Sequence, residues 1–320
     1  MERPIPLVVI VGPTAVGKTA VAVEVAKRIG GEIVSADSMQ VYRYMDIGTA
    51  KPTEEERQGI PHHMIDVVDP AEPYSVALYQ EQARSCVKEI WARGRIPLLV
   101  GGTGLYVKAV LEPLHFAGAG VDEAFRRRMY ALAQEEGPLA LYRLLKEVDP
   151  EAAERIHPHN VKRVARALEI YHLTGRPMSQ RLQELKEAPP PYRAVLYGLT
   201  MEREKLYRRI EARVDEMLQR GLVEEVKGLL KKGYGPGLVS MQGLGYKEMA
   251  AYLRGLSTFA EAVRLLKRNT RRFAKRQFTW FKKEGRIRWI DIGSCSSIME
   301  VVQEITTGAE GVLKEASKCN

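Results

Sequence analysis

The segment Gly12-Pro-Thr-Ala-Val-Gly-Lys-Thr19 constrains the fold of this 320-residue chain more than any other feature, because it matches the pattern G-x-x-x-x-G-K-[ST] in full. The apolar run Leu7–Val11 precedes it, and a helical pattern over Thr19–Ile29 follows it. A strand, a glycine loop and a helix in this order bring backbone N–H groups and a helix N-terminus around a phosphate. The segment therefore predicts a phosphate-binding loop at the edge of a parallel α/β sheet.

Each part of this loop has a predicted role in holding a phosphate. The glycines let the backbone curl, Lys18 supplies a point charge to the terminal phosphates, and Thr19 offers a hydroxyl to Mg²⁺. The predicted diphosphate- or nucleotide-binding residues are Gly12, Pro13, Thr14, Ala15, Val16, Gly17, Lys18 and Thr19. The pattern does not predict hydrolysis, because the strand Ile96–Val100 ends in Gly-Gly-Thr and not in a second Mg²⁺-binding acid. A transferase that releases a diphosphate would use the loop equally well.

Strand and helix patterns alternate along most of the chain, which is typical of a parallel α/β sheet. The predicted strands are Leu7–Val11, Glu32–Ala36, Ile96–Val100, Ala194–Leu199 and Ile287–Ile292. The predicted helices that accompany them are Thr19–Ile29, Tyr74–Arg93, Leu105–Leu111, Arg203–Leu230 and Phe259–Lys282. From Asp122 to Gln183 the pattern is helical and lacks strand signals.

We therefore predict an α/β fold class: a P-loop NTPase-like parallel sheet flanked by helices, with an all-helical insertion domain. Residues 1–115 and 194–293 are expected to form the α/β catalytic core with basic C-terminal helices. Residues 116–193 are expected to form the insertion, which ends at the proline run before residue 192. The Ser-rich residues 294–320 are expected to be a poorly ordered tail.

Two polar residues follow predicted strands and are candidates for the chemistry. Ligands of open α/β sheets bind beyond the carboxyl ends of the strands, so Asp37 and Thr103 are expected near the phosphate loop. Asp37 could act as a general base or orient Mg²⁺ through water. The spacing alone fits a turn or N-cap aspartate equally well, and Thr103 equally well fits a helix N-cap.

Most of the positive charge lies in one segment. The chain carries a formal net charge of +9, yet Arg264–Arg288 holds eleven Lys and Arg residues and one acid, Glu284. On a helix, Leu265, Leu266 and Phe273 fall on one side and the cations fall on the other. The shortage of balancing acids favours a polyanionic partner over an ordinary solvated helix. An anionic lipid surface is less favoured, because the apolar side is typical of a face that packs on a core.

The cysteines and the apolar runs indicate in which cellular compartment the protein is expected. Cys86, Cys295 and Cys319 are far apart in the chain and form no C-x-x-C pair, which argues against a disulfide framework or a zinc site. Apolar runs such as Leu7–Val11 and Leu98–Val100 are too short to span a membrane. Without a signal-peptide pattern, a cytoplasmic protein with no membrane partner is expected.

Four motifs in order resemble a known family. They are Gly12–Thr19, Asp37-Ser-Met-Gln-Val-Tyr42, Asp46-Ile-Gly-Thr-Ala-Lys-Pro52 and Gly101-Gly-Thr-Gly-Leu-Tyr106. The similarity continues through Arg155-Ile-His-Pro158, Arg163–Ala167, Gln242-Gly-Leu-Gly-Tyr246 and Lys275-Arg-Gln-Phe-Thr-Trp280. With this set the chain resembles the tRNA dimethylallyltransferases, the isopentenyl-tRNA transferase family, over about residues 7–290.

The resemblance implies a reaction and roles for three residues. The family transfers a dimethylallyl group from dimethylallyl diphosphate to N6 of the adenosine 3′-adjacent to the anticodon, in tRNAs that read codons beginning with U. It implies that Asp37 takes the N6 proton and that Thr103 contacts the target nucleotide. Arg213, which shares a helix face with Arg209, is the predicted arginine on the leaving diphosphate. Mg²⁺ on Thr19 is the implied cofactor.

The resemblance also implies a surface for the tRNA anticodon stem-loop, whose target base must be extruded into a pocket. The implied tRNA-binding residues are Asp37, Ser38, Met39, Gln40, Thr103, Arg126, Lys162, Arg163, Val164, Ala165, Arg166, Gln242, Gly243, Leu244, Gly245, Tyr246, Lys275, Arg276, Gln277, Phe278, Thr279, Trp280, Phe281 and Lys282. Diphosphate and base must enter from different sides, so a channel through the α/β domain is expected. A monomer is expected, because two domains of one chain can embrace one anticodon arm.

The match departs from the family pattern in two places. The eukaryotic members carry a C-terminal C₂H₂ zinc finger, and the chain lacks a histidine near Cys295 and Cys319, so it resembles the bacterial type. Lys162 stands where the family more often has Gln. The pairs His62-His63 and His157-Pro-His159 lack partner ligands at zinc spacing.

Three other functions use some of the same features. An adenylate dimethylallyltransferase shares the loop and the acid but needs neither the insertion nor the basic segment. A small-molecule or nucleotide kinase shares the loop, although the missing second acid and Asp46–Pro52 weigh against it. A non-catalytic P-loop RNA-binding protein would keep the basic helix and would not need Asp37.

Overall fold

A parallel sheet organises the part of the chain that carries the phosphate loop. The computed structural model describes residues 4–112, 120–187 and 189–317. Its strands are β1 (Ile5–Val11), β2 (Gly31–Ala36), β3 (His62–His63), β4 (Ile96–Gly101), β5 (Tyr192–Thr200) and β6 (Ile287–Asp291). Within these residues they form one sheet in the order β3-β2-β4-β1-β5-β6, and each neighbouring pair is parallel. The predicted fold class is confirmed.

Helices cover both faces of this sheet. In the first part of the chain they are α1 (Lys18–Ile29), α2 (Glu54–Arg57), α3 (Val76–Ala92) and α4 (Gly104–Leu111). The insertion contains α5 (Glu123–Glu135), α6 (Pro138–Val148), α7 (Pro150–Arg155), α8 (Val161–Thr174) and α9 (Met178–Glu187). The last part contains α10 (Arg203–Gln219), α11 (Leu222–Lys231), α12 (Tyr246–Leu253), α13 (Phe259–Phe281) and α14 (Ile298–Ser317). Residues of β1 and β2 are buried along almost their whole length, as expected of strands covered on both faces.

The chain divides into two compact units, Met1–Leu111 with Tyr192–Asn320, and Glu112–Pro191. The second unit is helical in its described residues and has its own apolar core, which includes Leu141, Leu145 and Val164. The domain boundary predicted near residue 115 lies outside the described residues. The other boundary is at Tyr192, two residues before the predicted one, because β5 begins there.

Two predicted elements differ from the structure. The helix predicted over Arg203–Leu230 is two helices, since Gly221 adopts a φ of 97° between them. The tail predicted to be poorly ordered contains α14, whose Val301, Val302 and Ile305 are completely buried, so that prediction was wrong. The helix packs on α1 and β5, and these contacts are remote in sequence.

Three strand ends meet at one edge of the sheet. Val11 pairs with Gly101, and Gly101 also pairs with Ala36. The residues that follow these strands, Gly12, Asp37 and Gly102, therefore emerge side by side. Gly101 must be glycine, because a Cβ there would lie 2.2 Å from the Ala36 carbonyl oxygen. No helix of the described ranges is long and apolar enough to cross a membrane.

Candidate active site

A cavity of about 470 Å³ opens beyond this edge of the sheet. The phosphate loop, the loop after β2, the end of β4 and helices α10 and α13 contribute to its wall. The predicted residues that line it are Thr14, Ala15, Gly17, Lys18, Thr19, Asp37, Gln40, Arg209, Arg213 and Gln277. The structure therefore brings the predicted phosphate-binding and acid–base groups to one cavity.

Lys18 lies at the start of α1 and folds back over the phosphate loop. Its ammonium donates to the carbonyl oxygens of Gly12 at 3.0 Å and Pro13 at 2.9 Å. Burial lowers the pKa of Lys18 to about 8, although the nearby Asp37 carboxylate opposes this effect. The loop backbone needs its glycines, since Gly17 has a φ of 101° and a Cβ on Gly12 would meet the Leu199 carbonyl oxygen at 2.5 Å.

Asp37 is a turn residue and a cavity residue at once. Its Oδ1 accepts hydrogen bonds from the backbone N–H of Met39 at 2.9 Å and of Gln40 at 3.4 Å. Its Oδ2 makes no hydrogen bond within the described residues. The turn thus holds the carboxylate in one orientation through one oxygen and leaves the other for a ligand. The turn interpretation of Asp37 is confirmed, and its role in the chemistry stays a prediction.

Thr103 and Gln40 hold the loop after β2 in place. The Thr103 hydroxyl oxygen accepts from the Ser38 N–H at 3.0 Å, and the Thr103 N–H donates to the Ala36 carbonyl at 3.0 Å. Gln40 accepts from the Ser35 hydroxyl at 2.9 Å and donates to the Ala50 carbonyl at 3.2 Å. Gln40 therefore lines the cavity from this loop, whereas Thr103 supports the loop and is not among the described residues that line the cavity.

Arg213 extends from α10 toward the phosphate loop. Its guanidinium is 3.4 Å from the Thr14 hydroxyl, and burial lowers its pKa while Asp37 favours the charged form. Arg209, one turn earlier on α10, also lines the cavity. Two guanidinium groups and one ammonium thus face the space where a diphosphate would meet the loop, which is the charge arrangement that a polyanionic leaving group needs.

Gln277 has a different place from the predicted one. The resemblance implied a contact with tRNA, but the residue is 5% exposed. Its amide oxygen accepts from the Thr14 N–H at 2.8 Å, and its amide nitrogen donates to the Gly102 carbonyl at 2.9 Å. Gln277 therefore ties the basic helix to the phosphate loop and to the loop after β4.

Tyr246 is also buried, whereas the resemblance implied that its side chain contacts tRNA. It is 0% exposed, and its hydroxyl donates to Glu225 at 2.6 Å. The same carboxylate accepts from the N–H groups of Asp46, Ile47 and Gly48 at 2.8–3.2 Å. Glu225 lies on α11 and has no motif of its own, so nothing in the sequence identifies it. Around Tyr246, Gly243 and Gly245 are buried, whereas Gln242 is exposed and Leu244 half-buried.

The basic helix α13 carries fewer free charges than its sequence suggests. Lys267 pairs with Asp215 at 2.7 Å, and Arg271 pairs with Glu211. Both acids lie on α10, more than fifty residues away, so the segment itself does not reveal them. The exposed residues of the predicted contact set on and after this helix are Lys275, Arg276, Thr279, Trp280 and Lys282. Phe278 is half-buried and Phe281 is buried, so Phe281 packs beneath the exposed residues and is not itself part of the surface.

In the helical unit the predicted contacts fall into two groups. Lys162 and Arg163 are exposed at the start of α8, whereas Val164 and Ala165 are buried in its core. Arg126 and Arg166 are half-buried and share the completely buried carboxylate of Glu169. Since breaking a buried ion pair leaves an uncompensated charge, these two arginines also stabilise the unit.

The cavity offers oxygen atoms suited to Mg²⁺. The Thr19 hydroxyl and the Asp37 carboxylate both line it. Mg²⁺ prefers hard oxygen ligands and usually keeps several waters beside substrate phosphates, so these two residues fit the ion. Within the described ranges no group of three or more His, Cys, Asp or Glu side chains is placed to hold a metal by itself. His63 bonds to Glu32 at 2.7 Å instead.

Fold and site together define a P-loop α/β protein built to bind a phosphorylated ligand next to a carboxylate. The profile of the IPP transferase family matches residues 40–284, and that of the isopentenyl transferases matches residues 5–68. The chain belongs to the IPP transferase family and is a transferase. The tRNA dimethylallyltransferases of Pelotomaculum thermopropionicum and Carboxydothermus hydrogenoformans are 54% and 51% identical to it, over 96% and 95% of this chain and 98% and 97% of theirs.

Solved structures agree with this assignment. The full-length tRNA isopentenylpyrophosphate transferase of Bacillus halodurans has a TM-score of 0.74 and 48% identity, with 98% of each chain covered. A eukaryotic dimethylallyltransferase described as acting on tRNA has a TM-score of 0.76 and 30% identity, with 91% of this chain and 74% of that one covered.

Proposed function

We propose that this chain transfers a dimethylallyl group from dimethylallyl diphosphate to N6 of the adenosine 3′-adjacent to the anticodon, in tRNAs that read codons beginning with U. The products are N6-dimethylallyladenosine and diphosphate. One observation carries the proposal: the phosphate loop with Lys18, the Asp37 carboxylate and the Arg213 guanidinium face one cavity. The cations can therefore stabilise the leaving diphosphate, and the carboxylate can take the proton of the attacking amine.

The cationic end binds the leaving group. Backbone N–H groups of residues 15–19, the Lys18 ammonium and Arg213 hold the diphosphate, whose negative charge increases as the C–O bond breaks. Thr19 would hold Mg²⁺, which supplies further charge neutralisation when it is bound. These groups surround the oxygens of the diphosphate. They therefore stabilise the negative charge that the diphosphate gains when it takes the electrons of the broken bond.

The acidic end activates the nucleophile. N6 of adenine is a poor nucleophile, because its lone pair is delocalised into the ring. The bond from N6 to C1 of the dimethylallyl group forms while the C1–O bond breaks, and the N6 proton moves to Asp37. Oδ1 of Asp37 is held by the Met39 N–H at 2.9 Å, so Oδ2 is the oxygen that takes the proton.

Docking of the RNA uses exposed cations on both units. Lys275 and Arg276 lie on α13 and Lys282 directly follows it, and Lys162 and Arg163 lie in the first turn of α8. They contact the phosphates of the anticodon arm, and the target adenosine is extruded into the cavity, with Thr103 and Gln40 near it. A tRNA substrate implies a cytoplasmic enzyme, and one chain carries both RNA-binding units, so a monomer suffices.

The test mixes the protein with radiolabelled dimethylallyl diphosphate, Mg²⁺ and either an anticodon stem-loop with A36-A37-A38 (tRNA numbering) or AMP. Label on the stem-loop is the expected result. Label on AMP alone would support an adenylate dimethylallyltransferase instead. Label on neither would favour a kinase or a binding protein.

An Asp37→Asn variant separates catalysis from binding. We expect it still to bind the stem-loop and to transfer the group about 10²–10⁴-fold more slowly, because it lacks the proton acceptor. Glu55→Gln, which makes the same carboxylate-to-amide change at an exposed position of α2 that does not line the cavity, is the matched control and should keep most of the activity. Normal transfer by Asp37→Asn would show that another group takes the proton.

A further inference from the structure

A group of aromatic and basic side chains lies on the surface next to the loop that carries Asp37. Tyr44 is 46% exposed, and its ring stacks on that of Tyr234 with centroids 6.5 Å apart and an interplanar angle of 22°. The Lys232 ammonium lies 4.3 Å from the centroid of the Tyr44 ring. We call Tyr44, Lys232 and Tyr234 the Tyr44 platform.

The backbone holds Tyr44 in a conformation that bulky residues avoid. Its φ is 66°, in the left-handed region that favours glycine. Tyr234 contributes to holding the platform, because its hydroxyl donates to Asp69 at 2.8 Å. A tyrosine kept exposed at a strained position by its neighbours is more typical of a binding function than of a stabilising one.

The platform is close to the cavity. Gln40 and Ile47 both line the cavity, and Tyr44 lies between them in the chain. Three residues span at most about 11 Å, so the Tyr44 backbone lies within that distance of Ile47. The loop that carries Lys232 and Tyr234 continues to Gly243, where an added Cβ would lie 2.5 Å from the Met39 side chain. The same two loops therefore meet both at the platform and beside Asp37.

The chemistry of the platform fits an unpaired nucleotide. Lys231 and Arg43 are exposed next to it in sequence, and Lys232 forms no ion pair among the described residues, although Lys232 and Arg43 both contribute to a lowered pKa of Asp69. Val239, on the same loop as Tyr234, is 75% exposed. Aromatic rings beside free cations bind single-stranded nucleic acid, because the ring stacks on a base and the cation meets its phosphate.

We propose that the Tyr44 platform stacks an unpaired base of the anticodon loop adjacent to the adenosine that enters the cavity. The inference rests on the proposed function, since the anticodon loop supplies that base. Lys232 meets the phosphate that joins the two nucleotides. When the adenosine is extruded, the adjacent base loses its stacking on it. Stacking of that base on Tyr44 replaces the lost contact and so stabilises the extruded state.

The first test compares the affinities of Tyr44 variants for the anticodon stem-loop, all in the Asp37→Asn background so that no transfer occurs. Tyr44→Gly should weaken binding about 5- to 150-fold, the range for loss of one aromatic–base stack, and Tyr44→Phe should bind normally. The thermal midpoint of Tyr44→Gly should be equal to or above that of the parent, because glycine relieves the strained φ. Lys232→Ala should weaken binding, whereas Lys227→Ala, at an exposed lysine of the preceding helix α11, should not.

The second test assigns the base. Stem-loops with a single abasic site at each loop position next to the target are titrated against both the parent and Tyr44→Gly. The loss caused by Tyr44→Gly should disappear with one of these RNAs, since the stack is then already absent. A loss that persists with every abasic RNA would contradict stacking. Unchanged affinity of Tyr44→Gly, with normal binding by the parent, would overturn the platform alone; a parent that does not bind the stem-loop would overturn the proposed function.

Discussion

Single residues in this protein have two roles that a sequence motif cannot separate. Asp37 accepts hydrogen bonds within its own turn through Oδ1 and faces the cavity. Lys18 donates to the carbonyls of its own loop and faces the same cavity. In both cases the local hydrogen bonds orient the group before a ligand arrives. This preorganisation reduces the cost of ordering the site on binding.

The lowered pKa of Lys18 leads to a pH-dependent affinity for inorganic diphosphate. Its value of about 8 in the free protein means that the ammonium is present below pH 8 and is lost progressively above it. Because a bound anion favours the charged form, binding above pH 8 requires uptake of a proton. We therefore expect the dissociation constant to rise by up to about tenfold for each pH unit above 8.

Calorimetry with diphosphate and Mg²⁺ between pH 6.5 and 9.5 measures this effect. Lys18→Arg is the control, because arginine remains charged throughout and the titration of diphosphate itself cancels in the ratio of the two dissociation constants. A ratio that stays constant over the whole range would exclude Lys18 as the titrating group.

At the scale of elements, helix α13 supports the phosphate loop on one side and carries the basic surface on the other. Its buried Gln277 holds the phosphate loop through Thr14, and its exposed face carries the cations proposed to bind RNA. Helix α10 supplies Arg213 to the cavity and also the acids Glu211 and Asp215 that neutralise part of α13. Pairing between the two helices therefore decides which cations of α13 are free for a polyanion.

This pairing predicts different salt dependences for two cations of the same helix. Arg272 is exposed and forms no ion pair within the described residues, whereas Lys267 is bound to Asp215 at 2.7 Å. Arg272→Ala should reduce the slope of log K against log salt for stem-loop binding by about 0.7–0.9, the contribution of one phosphate contact. Lys267→Ala should change it less, because its charge is already neutralised. Fluorescence titrations at several salt concentrations measure both slopes, and equal changes would show that the pair opens when RNA binds.

At the scale of the whole molecule, the two ends of the chain build one core. Val301, Val302 and Ile305 of α14 are completely buried and belong to the same apolar cluster as Val21 and Val25 of α1, the helix that follows the phosphate loop. Helix α14 thus packs against α1 and supports it. Its contribution is not local to the site, so it acts through the stability of the sheet.

An Ile305→Ala variant tests this support. We expect it to lower the free energy of unfolding by about 2–5 kcal/mol, because it leaves a cavity at a completely buried position. Glu304→Ala, exposed on the neighbouring position of the same helix, should change it by less than about 0.5 kcal/mol. Urea denaturation measures both, and a loss for Ile305→Ala no larger than that of the control would mean that α14 does not contribute to the core.

The sequence by itself determined the class of fold and most of the cavity. A phosphate loop is one continuous segment whose glycines and helix start are local properties, so Gly12–Thr19 is readable without a structure. Asp37 could be placed because strands in a parallel sheet end at one edge, and only the strand pattern is needed for that inference. The family motifs carried the reaction and the choice of Arg213.

Only the tertiary structure decided what the remaining residues do. Glu225 has no motif, and it holds the loop at Asp46–Gly48 from a helix about 180 residues away. Gln277 and Tyr246 lie in motifs, but their burial depends on which elements cover them. The acids that neutralise α13, the packing of α14 and the Tyr44 platform likewise join segments distant in sequence. Such contacts depend on the summed packing of the whole chain, and a local pattern of residue types contains no record of that packing.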